Sequence, residues 1–128
     1  MNLALIAAAG GALGAAARYL VSVAAVRMAG PGAVFPWGTL TVNIVGSFLM
    51  GVVVHWLAVR AGGGSELRTF LATGILGGFT TFSAFSLDVV SLIERKETAL
   101  AALYVFGSVG LSIGALFLGL LVARQIIA

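Results

Sequence analysis

A long apolar segment of this chain is interrupted at residues 74–86, which read Gly74-Ile-Leu-Gly-Gly-Phe-Thr-Thr-Phe-Ser-Ala-Phe-Ser86. The adjacent Gly77 and Gly78 hold helical dihedrals poorly, and the hydroxyls of Thr80 and Thr81 compete for backbone hydrogen bonds. Non-helical backbone at membrane depth is tolerated only where it is buried in protein or lines a cavity. The stretch therefore predicts a helix that is broken in mid-membrane, and the freed polar groups indicate an ion site.

The composition is that of an integral membrane protein. Of the 128 residues, 61% are hydrophobic and 9% are charged, and the mean hydropathy is +1.17, whereas a soluble domain carries about 25% charged residues. The absence of cysteine excludes a disulfide framework and a thiolate metal site. The net charge of +3 is attributed to anchoring at the membrane interface rather than to a surface for nucleic acid.

Four segments are long enough to cross a bilayer, which takes about 20 apolar residues. They run from about 2–28, 37–60, 66–93 and 98–127. The first lacks the basic n-region of a signal peptide, so we expect it to be a membrane span. Short connections between the spans predict an all-α, up-down bundle that forms a single transmembrane domain over residues 1–128.

Basic residues are divided evenly between the two sides of this predicted bundle. Apart from Arg18, which lies deep in the first span, the basic residues are Arg60, Arg68 and Arg124 on one side and Arg27, Arg95 and Lys96 on the other. Because the Lys and Arg bias sets orientation, this balance favours insertion in both directions and an antiparallel homodimer. The alternative is that a small residual bias fixes one orientation.

Two spans carry polar residues at helical spacing. Thr39 and Asn43 lie four residues apart in the second span, and Tyr104, Ser108 and Ser112 repeat every four residues in the fourth. A step of four residues drifts by only about 40°, so the last three form one polar stripe. We expect Asn43 and the stripe to face water or an ion. The alternatives are an amide that binds a neighbouring helix and serines that bond to their own turn.

Charged residues within or near the spans have two interpretations each. Arg18 lies well inside the first span and indicates either an anion vestibule or a structural role, in which its side chain snorkels to the interface or contacts backbone carbonyls. Asp88 is a potential partner for Arg18, although an interfacial position is favoured, and His55 beside Trp56 is expected at the interface. No catalytic motif, P-loop or metal-ligand spacing is present in the sequence, so no enzymatic activity is expected.

Three motifs carry a resemblance to a known family. They are Gly10-Gly-Ala-Leu-Gly-Ala-Ala-Ala-Arg-Tyr19, Gly38-Thr-Leu-Thr-Val-Asn-Ile-Val-Gly46 and Gly77-Gly-Phe-Thr-Thr-Phe-Ser-Ala-Phe-Ser86. In this order, and in a four-span chain of this length, they resemble the Fluc-type fluoride channels of bacteria. Ala84 departs from the pattern, because the family often has a hydroxyl residue there.

The resemblance implies a channel that lets fluoride leave the cytoplasm passively through the bacterial cytoplasmic (inner) membrane. It implies a dual-topology antiparallel homodimer in the lipid bilayer, with two pores and a central structural Na⁺ held by the carbonyls of Gly77 and Thr80. The pore residues that it implies are Asn43, Phe82, Phe85, Tyr104, Ser108 and Ser112. Arg18 and Thr39 are further candidates for a vestibule.

Two other classes of membrane protein compete with this interpretation. A small dual-topology drug or cation exporter would need an intramembrane acid for proton exchange, and the first span has Arg18 instead. A membrane assembly factor that transports nothing would leave the aligned polar residues unexplained.

Overall fold

Four helical segments cross the computed structural model, which describes residues 2–60 and 64–127. Helix α1 spans Leu3–Ala29, α2 spans Trp37–Val59, the third segment runs from Ser65 to Glu94, and the last helix, α6, spans Thr98–Ile126. Each is long and apolar enough to cross a membrane. The predicted all-α membrane architecture with four apolar helices is therefore confirmed.

The ends of α1 follow from local chemistry. The side chain of Asn2 accepts a hydrogen bond of 2.8 Å from the N–H of Ala4, which satisfies one free donor of the first turn. At the other end, Gly30 has φ +88°, a conformation that lacks the usual penalty only in glycine. The chain then passes through Pro31 and Pro36 into α2.

The third segment is divided into four pieces. Helix α3 (Ser65–Arg68) leads into a π-helical stretch (Thr69–Leu76), then the short helix α4 (Gly77–Phe79), and, after a break, α5 (Ser83–Glu94). At the break Thr80 is extended, with φ −86° and ψ 159°. The predicted interruption is confirmed, whereas the π-helical stretch before it was not predicted.

Glycines let α1 approach the third segment closely. A Cβ at Gly10 would lie 2.5 Å from the carbonyl oxygen of Phe70 and 2.9 Å from the Cα of Gly74, and one at Gly78 would lie 2.7 Å from the carbonyl oxygen of Gly11. The sequence has GxxxG pairs at Gly10/Gly14, Gly74/Gly78 and Gly110/Gly114. The first two thus pack against each other, as is common for small residues between membrane helices.

A second close approach joins α2 and α6, which share the most extensive helix–helix contact of the described residues. A Cβ at Gly51 would meet the backbone of Leu116, and one at Gly119 would meet the carbonyl of Phe48. Because the two helices are held at backbone distance here, their polar residues farther along face a common space.

Much of the large apolar surface points away from the protein. Leu5, Tyr19, Phe106 and Phe117 are among the exposed large side chains, while the core includes Tyr104 and Leu57. Such an outer surface is expected of helices that lie in lipid.

Candidate functional site

The break in the third segment is held open by Asn43 of α2. Its Oδ1 accepts a hydrogen bond of 2.8 Å from the N–H of Thr81, and its Nδ2 donates one of 3.1 Å to the carbonyl oxygen of the same residue. One N–H of the Nδ2 amide remains for another acceptor. Asn43 thus makes the contact with a neighbouring helix that the sequence left as an alternative, and it also lines a cavity.

A second side chain completes the break. The N–H of Ala84 donates to the Oγ1 of Thr81 over 3.2 Å, so this hydroxyl caps the first turn of α5. In a continuous helix the N–H groups of residues 81 and 84 would donate to the carbonyls of Gly77 and Thr80. Side chains of Asn43 and Thr81 take both donors instead, which releases these two carbonyls from their helical partners.

A cavity of about 350 Å³ lies between the break, α2 and α6. Its lining residues are Asn43, Gly46, Ser47, Met50, Thr80, Thr81, Phe82, Phe85, Ser108, Val109, Ser112 and Leu116. The walls combine apolar side chains with a few hydroxyl and amide groups. Such a space suits a small polar ligand that must exchange hydration water for protein donors.

The hydroxyls of Ser108 and Ser112 are buried in this region without a hydrogen-bond partner among the described residues. Ser108 as a whole is only 5% exposed. A buried donor without a partner costs about 1–3 kcal/mol. A ligand that accepts hydrogen bonds in the cavity would remove this cost.

Phe82 and Phe85 line the cavity in different ways. Phe85 is 8% exposed and Phe82 is 78% exposed, and their ring centroids lie 5.5 Å apart. Phe85 also contacts the ring of Tyr104, with centroids 5.0 Å apart. Phe85 is therefore a buried part of the cavity wall, whereas most of the Phe82 side chain is exposed.

Tyr104 does not line this cavity, although it belongs to the polar stripe of α6. It is fully buried, and its hydroxyl donates a hydrogen bond of 3.0 Å to Oδ2 of Asp88. Thr39 lies beside the same hydroxyl. Its two neighbours, Thr39 and Asp88, line a second cavity of about 360 Å³, whose lining also includes Arg95.

Arg18 reaches the break rather than Asp88. Its Nε donates a hydrogen bond of 3.0 Å to the carbonyl oxygen of Gly78. This is the contact with a backbone carbonyl that the sequence allowed, and it brings a positive charge next to the released carbonyls. In the part of the chain that the structure describes, Asp88 pairs with Tyr104, so the considered Arg18–Asp88 pair is not formed.

Three features were missed from the sequence. Thr81 is the partner of Asn43, Ser47 lines the cavity, and the Nε2 of His55 donates a hydrogen bond of 2.9 Å to the carbonyl of Ile127. Ser47 carried a readable signal because it lies four residues after Asn43. The other two depend on contacts between residues 38 and 72 positions apart, for which a single sequence has no local sign.

Comparison with known proteins gives matches that cover most of the chain. A family model described as "CrcB-like protein, Camphor Resistance (CrcB)" matches residues 5–120. A protein of Agrobacterium fabrum named "Fluoride-specific ion channel FluC" is 55% identical over 126 residues, which are 98% of each chain. A protein with the same name from Caulobacter vibrioides is 54% identical over 100% of both chains. Another from Novosphingobium aromaticivorans is 52% identical over 98% of this chain and 99% of the relative.

Proposed function

Because the chain belongs to the CrcB-like family, we propose that it is a fluoride-specific ion channel and not an enzyme. Relatives with this name share about half of its residues over essentially the whole length. The observation that carries the proposal is the cavity beside the break, where the buried hydroxyls of Ser108 and Ser112 lack a partner among the residues that the structure describes. As a multi-pass protein of the bacterial inner membrane, it would let fluoride leave the cell down its electrochemical gradient.

The lining of the cavity suits the chemistry of fluoride. The ion is small and strongly hydrated, so a pore must replace its water with hydrogen-bond donors. The remaining N–H of Asn43 and the hydroxyls of Ser108 and Ser112 are such donors. The positive edges of the rings of Phe82 and Phe85 add a weaker attraction for an anion. All of these groups are uncharged, which suits conduction because no single site holds the ion too tightly.

The proposal includes a structural Na⁺ bound by the carbonyl oxygens of Gly77 and Thr80. Unwound backbone carbonyls in mid-membrane are common ligands of this ion, and here Asn43 and Thr81 take the amides that would otherwise occupy both oxygens. When bound, the ion would supply a fixed positive charge that lowers the cost of an anion at this depth. Arg18, bonded to the neighbouring carbonyl of Gly78, adds to the positive potential.

The functional unit that we propose is an antiparallel homodimer with two pores. The balance of basic residues on the two sides of the bundle favours both orientations. Phe82 lines the cavity and is yet 78% exposed, so the wall is incomplete within one chain. In the described part of the chain, a Cβ at Gly110 or Gly114 of α6 would meet nothing within 4 Å, which leaves this small-residue face open for a second copy.

Fluoride release from liposomes tests the proposal. Purified protein should discharge a fluoride gradient and leave a chloride gradient in matched vesicles largely intact. The double variant Ser108→Ala/Ser112→Ala should lower fluoride flux at least tenfold, because two charge-assisted hydrogen bonds are lost. Thr41→Val serves as the control, since the Thr41 hydroxyl donates to the carbonyl of Trp37 outside the cavity. Equal release of fluoride and chloride, or no release at all, would contradict the proposal.

A further inference from the structure

Helix α2 carries its own row of polar residues toward α6. Thr39, Asn43 and Ser47 follow one another at intervals of four, as Tyr104, Ser108 and Ser112 do on α6. Residues at this spacing lie on one face of a helix. The close contacts at Gly51 and Gly119 hold the two helices together beyond the ends of both rows.

The two rows face each other at two levels. Thr39 lies beside the hydroxyl of Tyr104 at one level. Asn43 and Ser47 line the same cavity as Ser108 and Ser112 at the other. Ser108 and Ser112 of α6 thus have counterparts on α2, Asn43 and Ser47, across the cavity that we assign to the ion.

The hydroxyl of Ser47 makes no hydrogen bond within the described residues, in contrast to three other hydroxyls of the spans. Those of Thr41, Thr80 and Ser86 donate to the carbonyl four residues earlier over 2.8, 2.9 and 3.0 Å. This bond is the usual way to satisfy a hydroxyl in a membrane helix. Within residues 2–60 and 64–127, Ser47 makes no hydrogen bond through its side chain. Its neighbours across the cavity, Ser108 and Ser112, are also without partners.

We infer that Ser47 is a further ion-binding and specificity-determining residue of the pore. Its hydroxyl donates to the anion from the α2 side, opposite Ser112, so that the ion is held between two rows of donors rather than along one. Met50 and Leu116 also line the cavity, but their side chains have no hydrogen-bond donor, so Ser47 adds a donor to the α2 side beyond Asn43. The inference rests on the proposed fluoride-channel function.

Initial rates of fluoride release, measured over a range of fluoride concentrations, test this role. We expect Ser47→Ala to lower the rate at limiting fluoride about tenfold, because one hydrogen bond to an ion is lost. At saturating fluoride the rate should fall much less, since the remaining donors still conduct. Ser47→Thr, which keeps the hydroxyl, should restore most of the rate, and Thr41→Val on the same helix should behave like the wild type.

The outcomes separate the inference from the proposed function. Wild-type protein that releases no fluoride would overturn the proposed function itself and this inference with it. Wild-type release that Ser47→Ala leaves unchanged would overturn the role of Ser47 alone. Equal losses of the fluoride rate in Ser47→Ala and Thr41→Val would also overturn the role of Ser47, because a structural role would give this result. So would a rate that stays low in Ser47→Thr. Size-exclusion profiles identify any variant that fails to fold. If Ser47→Ala or Ser47→Thr fails to fold, Ser47→Cys is used instead, and its rate of chloride release is divided by its rate of fluoride release. A ratio equal to that of the wild type overturns the inference, and a raised ratio supports it.

Discussion

Asn43 illustrates how one side chain can set backbone geometry and line a site at once. Its amide replaces two backbone partners of Thr81, and it still has an N–H for the cavity. The sequence predicted that Asn43 faces water or an ion or binds a neighbouring helix, because an amide in an apolar span is costly without a partner. Its partner could not be predicted, since the contact joins two spans. The same limit applies to the hydrogen bond between Tyr104 and Asp88, which also joins two spans.

The phenylalanines give the first prediction at this scale. Phe82→Met and Phe85→Met keep an apolar side chain of similar volume, so the dimer should survive. Fluoride flux should fall about tenfold in each, because aliphatic groups lack the positive ring edge. Phe79→Met is the matched control, since Phe79 does not line the cavity. Flux is measured on variants that run as dimers in detergent, and equal mild effects at all three positions would make them packing residues.

The third segment is the element on which the site depends. Its interruption was predictable because Gly77 and Gly78 precede two threonines, and both kinds of residue weaken helical hydrogen bonding. The π-helical stretch at Thr69–Leu76 was not predictable. In a π-helix the backbone hydrogen bonds skip one residue more than in an α-helix, and no side chain of this stretch marks that change. The stretch also lies in close contact with α1. The residue types therefore predicted the position of the break but not the π-helical conformation that precedes it.

Close packing of α1 on this segment gives a prediction about stability. A Cβ at Gly14 would lie against the carbonyl oxygen of Ile75 and 2.8 Å from the N of Phe79. Gly14→Ala should therefore destabilise the protein by ~1–3 kcal/mol. Gly32→Ala is the control, because nothing lies within 4 Å of a Cβ there. Thermal unfolding followed by loss of the monodisperse peak compares the two, and equal stability would contradict the described packing.

The proposed cation site gives a second prediction for the same element. The Thr80 hydroxyl donates to the carbonyl of Leu76, so Thr80→Ala leaves both backbone ligands in place and should retain most of the flux. Gly77→Leu adds a side chain at an exposed backbone position next to the released carbonyl and should reduce flux at least tenfold. Fluoride release measured on both variants decides. Full activity of Gly77→Leu would argue against a bound ion there.

At the scale of the whole molecule, the site that we propose needs a second copy of the chain. Two observations support the proposed pairing: the balance of basic residues in the sequence and the exposed ring of Phe82 at the edge of the cavity. The helix faces that pack within the chain were not predictable, because Gly10, Gly74 and Gly110 all occur in GxxxG pairs. Among the described residues, only Gly10 and Gly74 of these three make a close backbone contact.

Biased orientation gives the prediction for the assembly. Two lysines added to one terminus break the balance of basic residues, so such a variant should insert in one orientation. Alone it should lose fluoride transport, since antiparallel partners are missing. Co-expression with a variant that carries the bias on the opposite side should restore transport. Full activity of a population with a single orientation would contradict the antiparallel dimer.

The most direct test of passive conduction is the electrical character of fluoride release. A channel moves the ion with its charge, so release from potassium fluoride-loaded liposomes should stall until valinomycin lets potassium follow. It should then proceed without any change in the pH of the vesicles. Release that is equally fast without valinomycin and that is accompanied by proton movement would identify a coupled exporter and contradict the proposed channel.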